Sequence, residues 1–429
     1  MPELTQSLTE RAKEPTGEEL VEARGDSRQA RSRPAVPPEG SRPLVKVLFL
    51  MDEFANSDGG SEQHLMFLLK RLPAHRVEVH FAVLGDMRDE HLPLFPVEPI
   101  VLGKNYRFSP INAAKRVVRL ARVIRSLRAD VVHAFFQTSE TAALLATRLA
   151  RQGSVLGVRR DTGFWHTRRT LWQARLMRLF QAEYAANCQA AKEFAVRKEW
   201  LPARRFTVIL NPLPTDRLAA GLRNVVPAES LGIRRDEQVV GIVAMLRPVK
   251  DHATFLRAAR RVLDRFPQTR FLVIGRQLPD PFPRLQALAG ELEIDEQVTW
   301  VGSVENPVTI LPHCDVGVLS SRSEGLSNAL IEYAGVGLPA VATDVGGNRE
   351  IVQEGHTGFL VPPASPEAMA ERICRLLSDS ALRTKFGENA RRRAGWLFSE
   401  KRVLEEYAQL YFRLAAKIKA PSSRAGANT

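Results

Sequence analysis

At 429 residues, with 44% hydrophobic and 25% charged side chains, the chain has room for two α/β domains of ordinary size and a short extension. No apolar run reaches the roughly 18 residues that a membrane-crossing helix needs. The N-terminal MPELTQSLTERAKEP lacks the apolar core of a secretory leader. The net charge of +13 is uneven: residues 1–43 carry −1, residues 44–220 carry +11 and residues 221–429 carry +3. An anionic partner is therefore expected to meet the first half. Three well-separated cysteines (Cys188, Cys314, Cys374) and scattered histidines without H-x-x-x-H spacing give no metal signature, and suggest a reducing, cytoplasmic setting.

Residues 1–43 are rich in Glu, Arg, Pro and Ser and read as a disordered extension. Order is expected from Leu44 to Met51 (LVKVLFLM), a continuous apolar run of buried parallel-strand type. A polar loop, Asp52 to Gly60, leads to a helix from Ser61 to Arg71. Strand Val77–Leu84, an amphipathic helix Ile111–Leu127, strand Asp130–Phe135 and a helix Ser139–Ala150 follow. Strand SVLGVRR, a basic helical stretch Arg168–Arg178, strand YAANC, helix AAKEFAVRKEW and FTVILNP close this alternation. Residues 211–236, with three prolines, read as a linker. A second alternation runs VVGIVAML, helix His252–Phe266, FLVIG, helix Pro283–Leu292, VTWVG, VGVLS, a helix from about Ser327, PAVAT and helix Pro366–Leu377. A last amphipathic helix, about 400–417, has no strand after it and is expected to return across the first domain. The expected architecture is α/β: two doubly wound, Rossmann-like domains facing a cleft, at 44–216 (with the terminal helix) and 217–399.

The densest stretch is VGVLSSRSEGLSNALIEYAGVGLPAVATDVGGNREIVQEGHTGFLVPP, from Val316 to Pro363. Glu324 and Glu332 bracket a loop-to-helix junction eight positions apart. Eight residues of helix would put the second carboxylate on a face near the first. Between them the free N–H groups at Leu326, Ser327 and Asn328 form an anion site. Carboxylates for hydroxyls flanking an anion hole fit a sugar nucleotide. The bland alternative is a pair of helix-start carboxylates favoured by the macrodipole.

With these residues in hand, the chain resembles the retaining glycosyltransferases of family 4, which have the GT-B fold, over about residues 44 to 416. SEGLSNALIEYAGVGLPAVATDVGGNREIVQEGHTGFLVPP is similar to the family's E-x7-E region and Gly-Gly loop. DGGSE, DVVH, VILNP and LRPVKDH support the likeness, and the last helix resembles the family's crossover helix. The resemblance implies sugar transfer from a nucleotide-diphosphate sugar to a hydroxyl of a polysaccharide, lipopolysaccharide or glycolipid. It implies that Glu332 holds the ribose and Glu324 the donor sugar, and that Arg247, Lys250 and the helix start hold the leaving diphosphate. Gly59 and Gly60 would admit a phosphate to backbone, and His133 would stand near the reacting centre. The chain departs from the family pattern in two slots, with Met245 where an Arg is usual and Phe135 where a second His is common. No D-x-D pair occurs, so fixed cations and backbone dipoles are expected to replace a metal, and no cofactor is called for.

Each residue also has a plainer reading: Arg247 and Lys250 as exposed caps, Gly59-Gly60 as a turn, His133 as a satisfied core histidine. The basic helix (Lys115, Arg116, Arg119, Arg122, Arg125, Arg128) and the basic stretch from Arg159 to Arg178 fit a solvated face, an anionic membrane or lipid-diphosphate surface, or nucleic acid. No nucleic-acid motif supports the last. A cytoplasmic setting is expected, with a peripheral place on the cytoplasmic membrane face if the basic surface docks lipid rather than being simply solvated. A catalytically impaired sugar-nucleotide scaffold and a GT-B epimerase remain the competing functions.

Overall fold

The computed structural model describes residues 44–54, 59–87, 89–103, 110–180 and 182–419. The expected extension 1–43 lies outside the described residues, as do residues 55–58 of the first loop. Two parallel sheets result because apolar strand runs alternate with amphipathic helices that cover both sheet faces.

The first sheet contains β1 (Val45–Met51), β2 (Val77–Val83), β3 (Ile100–Val101), β4 (Val131–Ala134), β5 (Ser154–Arg159), β6 (Glu183–Ala186) and β7 (Phe206–Val208). Their order is β3-β2-β1-β4-β5-β6-β7. Around it lie α1 (Gly60–Arg71), α2 (Pro110–Leu127), α3 (Gln137–Ala150), α4 (Arg168–Met177) and α5 (Gln189–Lys198). The second sheet, β10-β9-β8-β11-β12-β13, comprises β8 (Gln238–Val243), β9 (Thr269–Ile274), β10 (Val298–Gly302), β11 (Val316–Leu319), β12 (Ala340–Thr343) and β13 (Gly358–Val361). These are two Rossmann-like domains, and both sheets belong to one compact unit.

Residues 211–236, expected to be linker, include a helix, α6 (Thr215–Arg223). Leu218 and Gly221 face inward along it, and a Cβ at Gly221 would collide with Val308, so the helix is packed rather than slack. The second domain adds α7 (His252–Leu263), α8 (Pro281–Glu291), α9 (Asn328–Val336), α10 (Asn348–Ile351), α11 (Pro366–Ser378) and α12 (Ser380–Leu397). The sequence reading had missed β3, β13, α10 and α12. The first three are four residues or fewer, too short to show a period, and the charges of α12 hide its face.

The terminal helix α13 (Glu400–Lys419) returns to the first sheet, as expected. Val403, Tyr407, Tyr411 and Leu414 pack with Val47, Phe49, Val131 and Leu156. The chain thus crosses between domains twice, and the crossings lie side by side. Leu213 N donates to Phe398 O at 2.7 Å. The backbone N and Oγ1 of Thr215 donate to Glu400 Oε1 at 3.0 and 2.8 Å.

Candidate active site

The carboxyl ends of both parallel sheets face the cleft, the edge where doubly wound sheets bind ligands. On the second side, Ser327 caps α9 by accepting from Leu330 N, and Gly337 ends the helix in the left-handed conformation (φ 80°). Tyr333 fixes the helix roll. Its hydroxyl accepts from Val243 N at 2.7 Å and donates to Val318 O at 3.3 Å, tying α9 to β8 and β11. Only glycine at 317 leaves room for that ring. The roll aims the neighbouring Glu332 into a cavity of about 360 Å³ that Gly60, Arg160, Asn211, Arg217 and Asn328 also line. Glu332 is 5% exposed, with Arg217 Nε 3.6 Å away. Burial raises its pKa above the usual carboxylate value, and Arg217 opposes that shift.

Glu324 precedes α9 by four residues and is not on the helix, so the helical rotation expected between the two glutamates does not apply. It stands in a buried loop of its own, 9% exposed. Its Oε1 accepts from Lys250 Nζ and from Ser321 Oγ, both at 2.6 Å. Lys250 is placed by its neighbours: Ser320 Oγ donates to its carbonyl at 2.9 Å, and Asp251 accepts from Arg322 Nε at 2.8 Å and from Thr254 Oγ1 at 2.9 Å. Two anchored segments therefore bring Lys250 and Glu324 together, as the sequence had suggested without showing their contact. Arg247 is exposed and lines a larger cavity of about 920 Å³ in the first domain. Beside the family's missing arginine, Met245 Sδ accepts from the guanidinium of Arg276 at 3.5 Å.

The loop at 323–328 meets the first domain directly. Thr162 Oγ1 lies 2.7 Å from Ser323 Oγ, and Asn211 Nδ2 donates to Asn328 Oδ1 at 2.7 Å. A Cβ on Gly325 would occupy the position of the Arg160 carbonyl, and one on Gly346 that of the Glu324 carbonyl. Glycine at 325 and 346 is thus what permits backbone-to-backbone closure. At the α1 start, a Cβ on Gly59 would strike the Glu62 carboxylate, which folds back over the helix N-terminus. Gly60 faces open space beside Asn328.

His133 is not brought to the cleft. Strand alternation turns Val131, His133 and Phe135 toward α13. His133 is fully buried, its Nδ1 lies 2.9 Å from Tyr411 Oη, and its ring stacks on Phe135 at 4.9 Å. Burial lowers its pKa to about 3, so it is neutral at physiological pH. His64 sits beside it in the same state, Nε2 2.9 Å from Tyr407 Oη, its pKa well below the usual value because of burial.

Several basic residues also prove structural. Arg119 and Arg125 donate to backbone carbonyls of Leu102, Leu149 and Ala150. Arg159 is held between Glu140 and Glu199, each at 2.7 Å. Asn211, Arg217 and Thr162 are cleft residues that the sequence reading did not single out, and Arg160 enters that reading only as part of the basic stretch. VILNP contains Asn211, but nothing in its local pattern announces a partner 117 residues away. Among the described residues, no group of three or more His, Cys, Asp or Glu is placed to hold a metal ion.

The chain matches the sequence models of "Glycosyltransferase Family 4" over residues 58–217 and "Glycosyl transferases group 1" over residues 228–393. It is 28% identical over 349 residues to the putative glycosyltransferase EpsD of Bacillus subtilis, covering 78% of this chain and 88% of that one. It is 23% identical over 312 residues to the Escherichia coli UDP-Gal:alpha-D-GlcNAc-diphosphoundecaprenol alpha-1,3-galactosyltransferase, covering 70% and 78%. The fold is similar to that of Anabaena HepE, solved in complex with UDP, at a TM-score of 0.72 and 21% identity over 85% of this chain and 99% of that one. The chain belongs to glycosyltransferase family 4 and is a glycosyltransferase of the GT-B fold.

Proposed function

We propose that the protein moves a hexosyl group from a nucleotide-diphosphate sugar to a hydroxyl acceptor, with retention and without a metal, in building a polysaccharide or lipid-linked glycan. The observation that carries this reading is the pair of buried carboxylates in separate settings, Glu332 facing Arg217 in the smaller cavity and Glu324 gripped by Lys250 and Ser321. Glu332 would accept from the ribose hydroxyls, and Glu324 would accept from a hydroxyl of the donor sugar. Lys250, Arg247, the α9 start at Leu326 to Asn328 and the backbone at Gly59-Gly60 would stabilise charge growing on the diphosphate. The anomeric C–O bond breaks with its electron pair going to the nucleoside diphosphate. The acceptor oxygen bonds the anomeric carbon on the same face, and its proton passes to the leaving phosphate oxygen. Fixed cations supply the electrostatic role, which fits a chain with no D-x-D pair.

The larger cavity would take the acceptor. Its walls include Phe136, Leu145, Phe164, Trp165, Leu176 and Met177. On α4 and the turn that follows it, Trp172 and Leu179 are exposed beside the exposed Arg168, Arg169 and Arg178. Aromatic and arginine side chains in that mixture suit an anionic membrane surface, where each Arg contributes ~1 kcal/mol. No helix among the described residues is long and apolar enough to cross a membrane. The E. coli relative, whose name specifies a diphosphoundecaprenol acceptor, supports a lipid-linked acceptor at a membrane surface, which we place on the cytoplasmic face.

The test is a turnover screen of nucleotide sugars with lipid-linked and soluble acceptors, in anionic vesicles, with and without chelator. Sugar transfer with retained anomeric configuration, undiminished by chelator, is the expected result. Donor epimerised without transfer, or bound without cleavage, would overturn the reading. Loss of activity on chelation would overturn its metal-free part.

A further inference from the structure

Arg160 is the one described residue in the walls of both the smaller and the larger cavity. It follows β5, whose partner Arg159 is fully occupied by Glu140 and Glu199. The Arg160 guanidinium is fixed on one side only. Nη2 donates to Gly60 O at 3.2 Å and to Asn211 Oδ1 at 3.0 Å, while Nη1 is buried with no hydrogen-bond partner among the described residues. A buried guanidinium nitrogen without an acceptor is costly, because its hydration is lost and nothing replaces it. The cost makes sense when a ligand supplies the acceptor. Gly60 begins α1, and Asn211 also binds Asn328 at the start of α9, so the guanidinium is fastened to two helix N-termini. All three groups favour negative charge at one spot. The Arg160 guanidinium and the two helix starts meet in the cavity that Glu332 also lines.

We propose that Arg160 is a donor-binding residue whose free Nη1 takes an oxygen of the nucleotide sugar's diphosphate from the first-domain side, opposite Lys250. This deepens the proposed function and rests on it. Arg160 would then couple the two cavities: the diphosphate draws the first domain onto the α9 start, beside the wall where the acceptor enters. Glu62 and Asp161 act on Arg160 electrostatically, yet neither supplies Nη1 with a hydrogen-bond acceptor.

The experiment is calorimetric titration of wild-type, Arg160→Met and Arg160→Lys protein with UDP, GDP and ADP, and with uridine, guanosine and adenosine. Arg160→Met should weaken binding of the preferred diphosphate by about 10- to 100-fold while leaving the matching nucleoside unchanged, and Arg160→Lys should recover part of the loss. The unchanged nucleoside affinity also reports that the variant is folded. Equal losses for nucleoside and diphosphate would make Arg160 a structural strut and overturn the proposal. So would an unchanged diphosphate affinity with a raised KM for a phosphate-bearing acceptor, which would move the contact to the acceptor. Wild-type protein that binds none of the three diphosphates would sink the functional reading itself.

Discussion

The two walls of the cleft are built on different principles. On the second-domain wall the key groups are buried and paired, with Glu324 9% and Glu332 5% exposed. On the first-domain wall Phe164 is 56%, Trp165 43% and Leu176 57% exposed, and they line the larger cavity. Electrostatic preorganisation needs a fixed, partly dry setting, so a wall that stabilises one invariant leaving group can be rigid. A wall that accommodates a large amphipathic acceptor gains more from adaptable apolar surface than from fixed dipoles. Under the proposed function the buried, paired wall would carry most of the reaction chemistry and the exposed apolar wall would govern acceptor choice, so that each can be altered with a separable effect.

The sharpest way to break that division is Glu324→Ala. It removes the acceptor of both Lys250 and Ser321, and turnover should fall by ~10²–10³ with the fold retained. Product formation measured beside an unchanged circular-dichroism spectrum checks it. A turnover within twofold of wild type would show that the rigid wall is not where catalysis is concentrated. Gly325→Ala comes next, because its new Cβ meets the Arg160 carbonyl rather than a movable side chain. Overpacking of this kind should cost about 1–3 kcal/mol, read from urea denaturation, and should weaken donor binding through imperfect closure. Unaltered stability would mean that the walls do not touch there in solution.

The smallest expected effect comes from two buried histidines, one in each domain. Burial depresses the pKa of His133 to about 3 and that of His252 to about 4. Below pH 6.5 the unfolded chain takes up a proton at each histidine that the folded chain refuses, so stability falls as pH falls through that window. Between pH 6.5 and 5.5 each should contribute a loss of about 1 kcal/mol. Denaturation midpoints of wild type and His133→Gln across pH 5–8 test it. The variant should lose stability less steeply by one proton, and identical slopes would refute the buried, neutral state.

The same contrast explains what the sequence disclosed. Glu332 lies on a helix, and Glu324 and Lys250 lie in connections that follow apolar strand runs; those runs and the helix start are periodic, and the family likeness picks out the three residues. The larger elements were readable for the same reason. Arg160 and Asn211 owe their place to partners far along the chain, Gly60 in the same domain and Asn328 across the cleft, and long-range pairing leaves no local period. His133 misled because strand-end position marks the ligand edge but not which face the residue takes. Its face is decided by Tyr411, 278 residues later in the chain. The linker expectation at 211–236 missed α6 because three prolines obscure a short helix whose packing partner is Val308.

The paired crossings between the domains have a mechanical consequence. One tether would let the lobes swivel freely about any axis. Two adjacent strands bonded through Leu213–Phe398 and Thr215–Glu400 behave as a flat ribbon, compliant to bending and stiff to torsion. Any movement of the two lobes would therefore be hinge-like rather than twisting, and the absence of a side chain at Gly325 would keep the Arg160 carbonyl accessible to the facing loop.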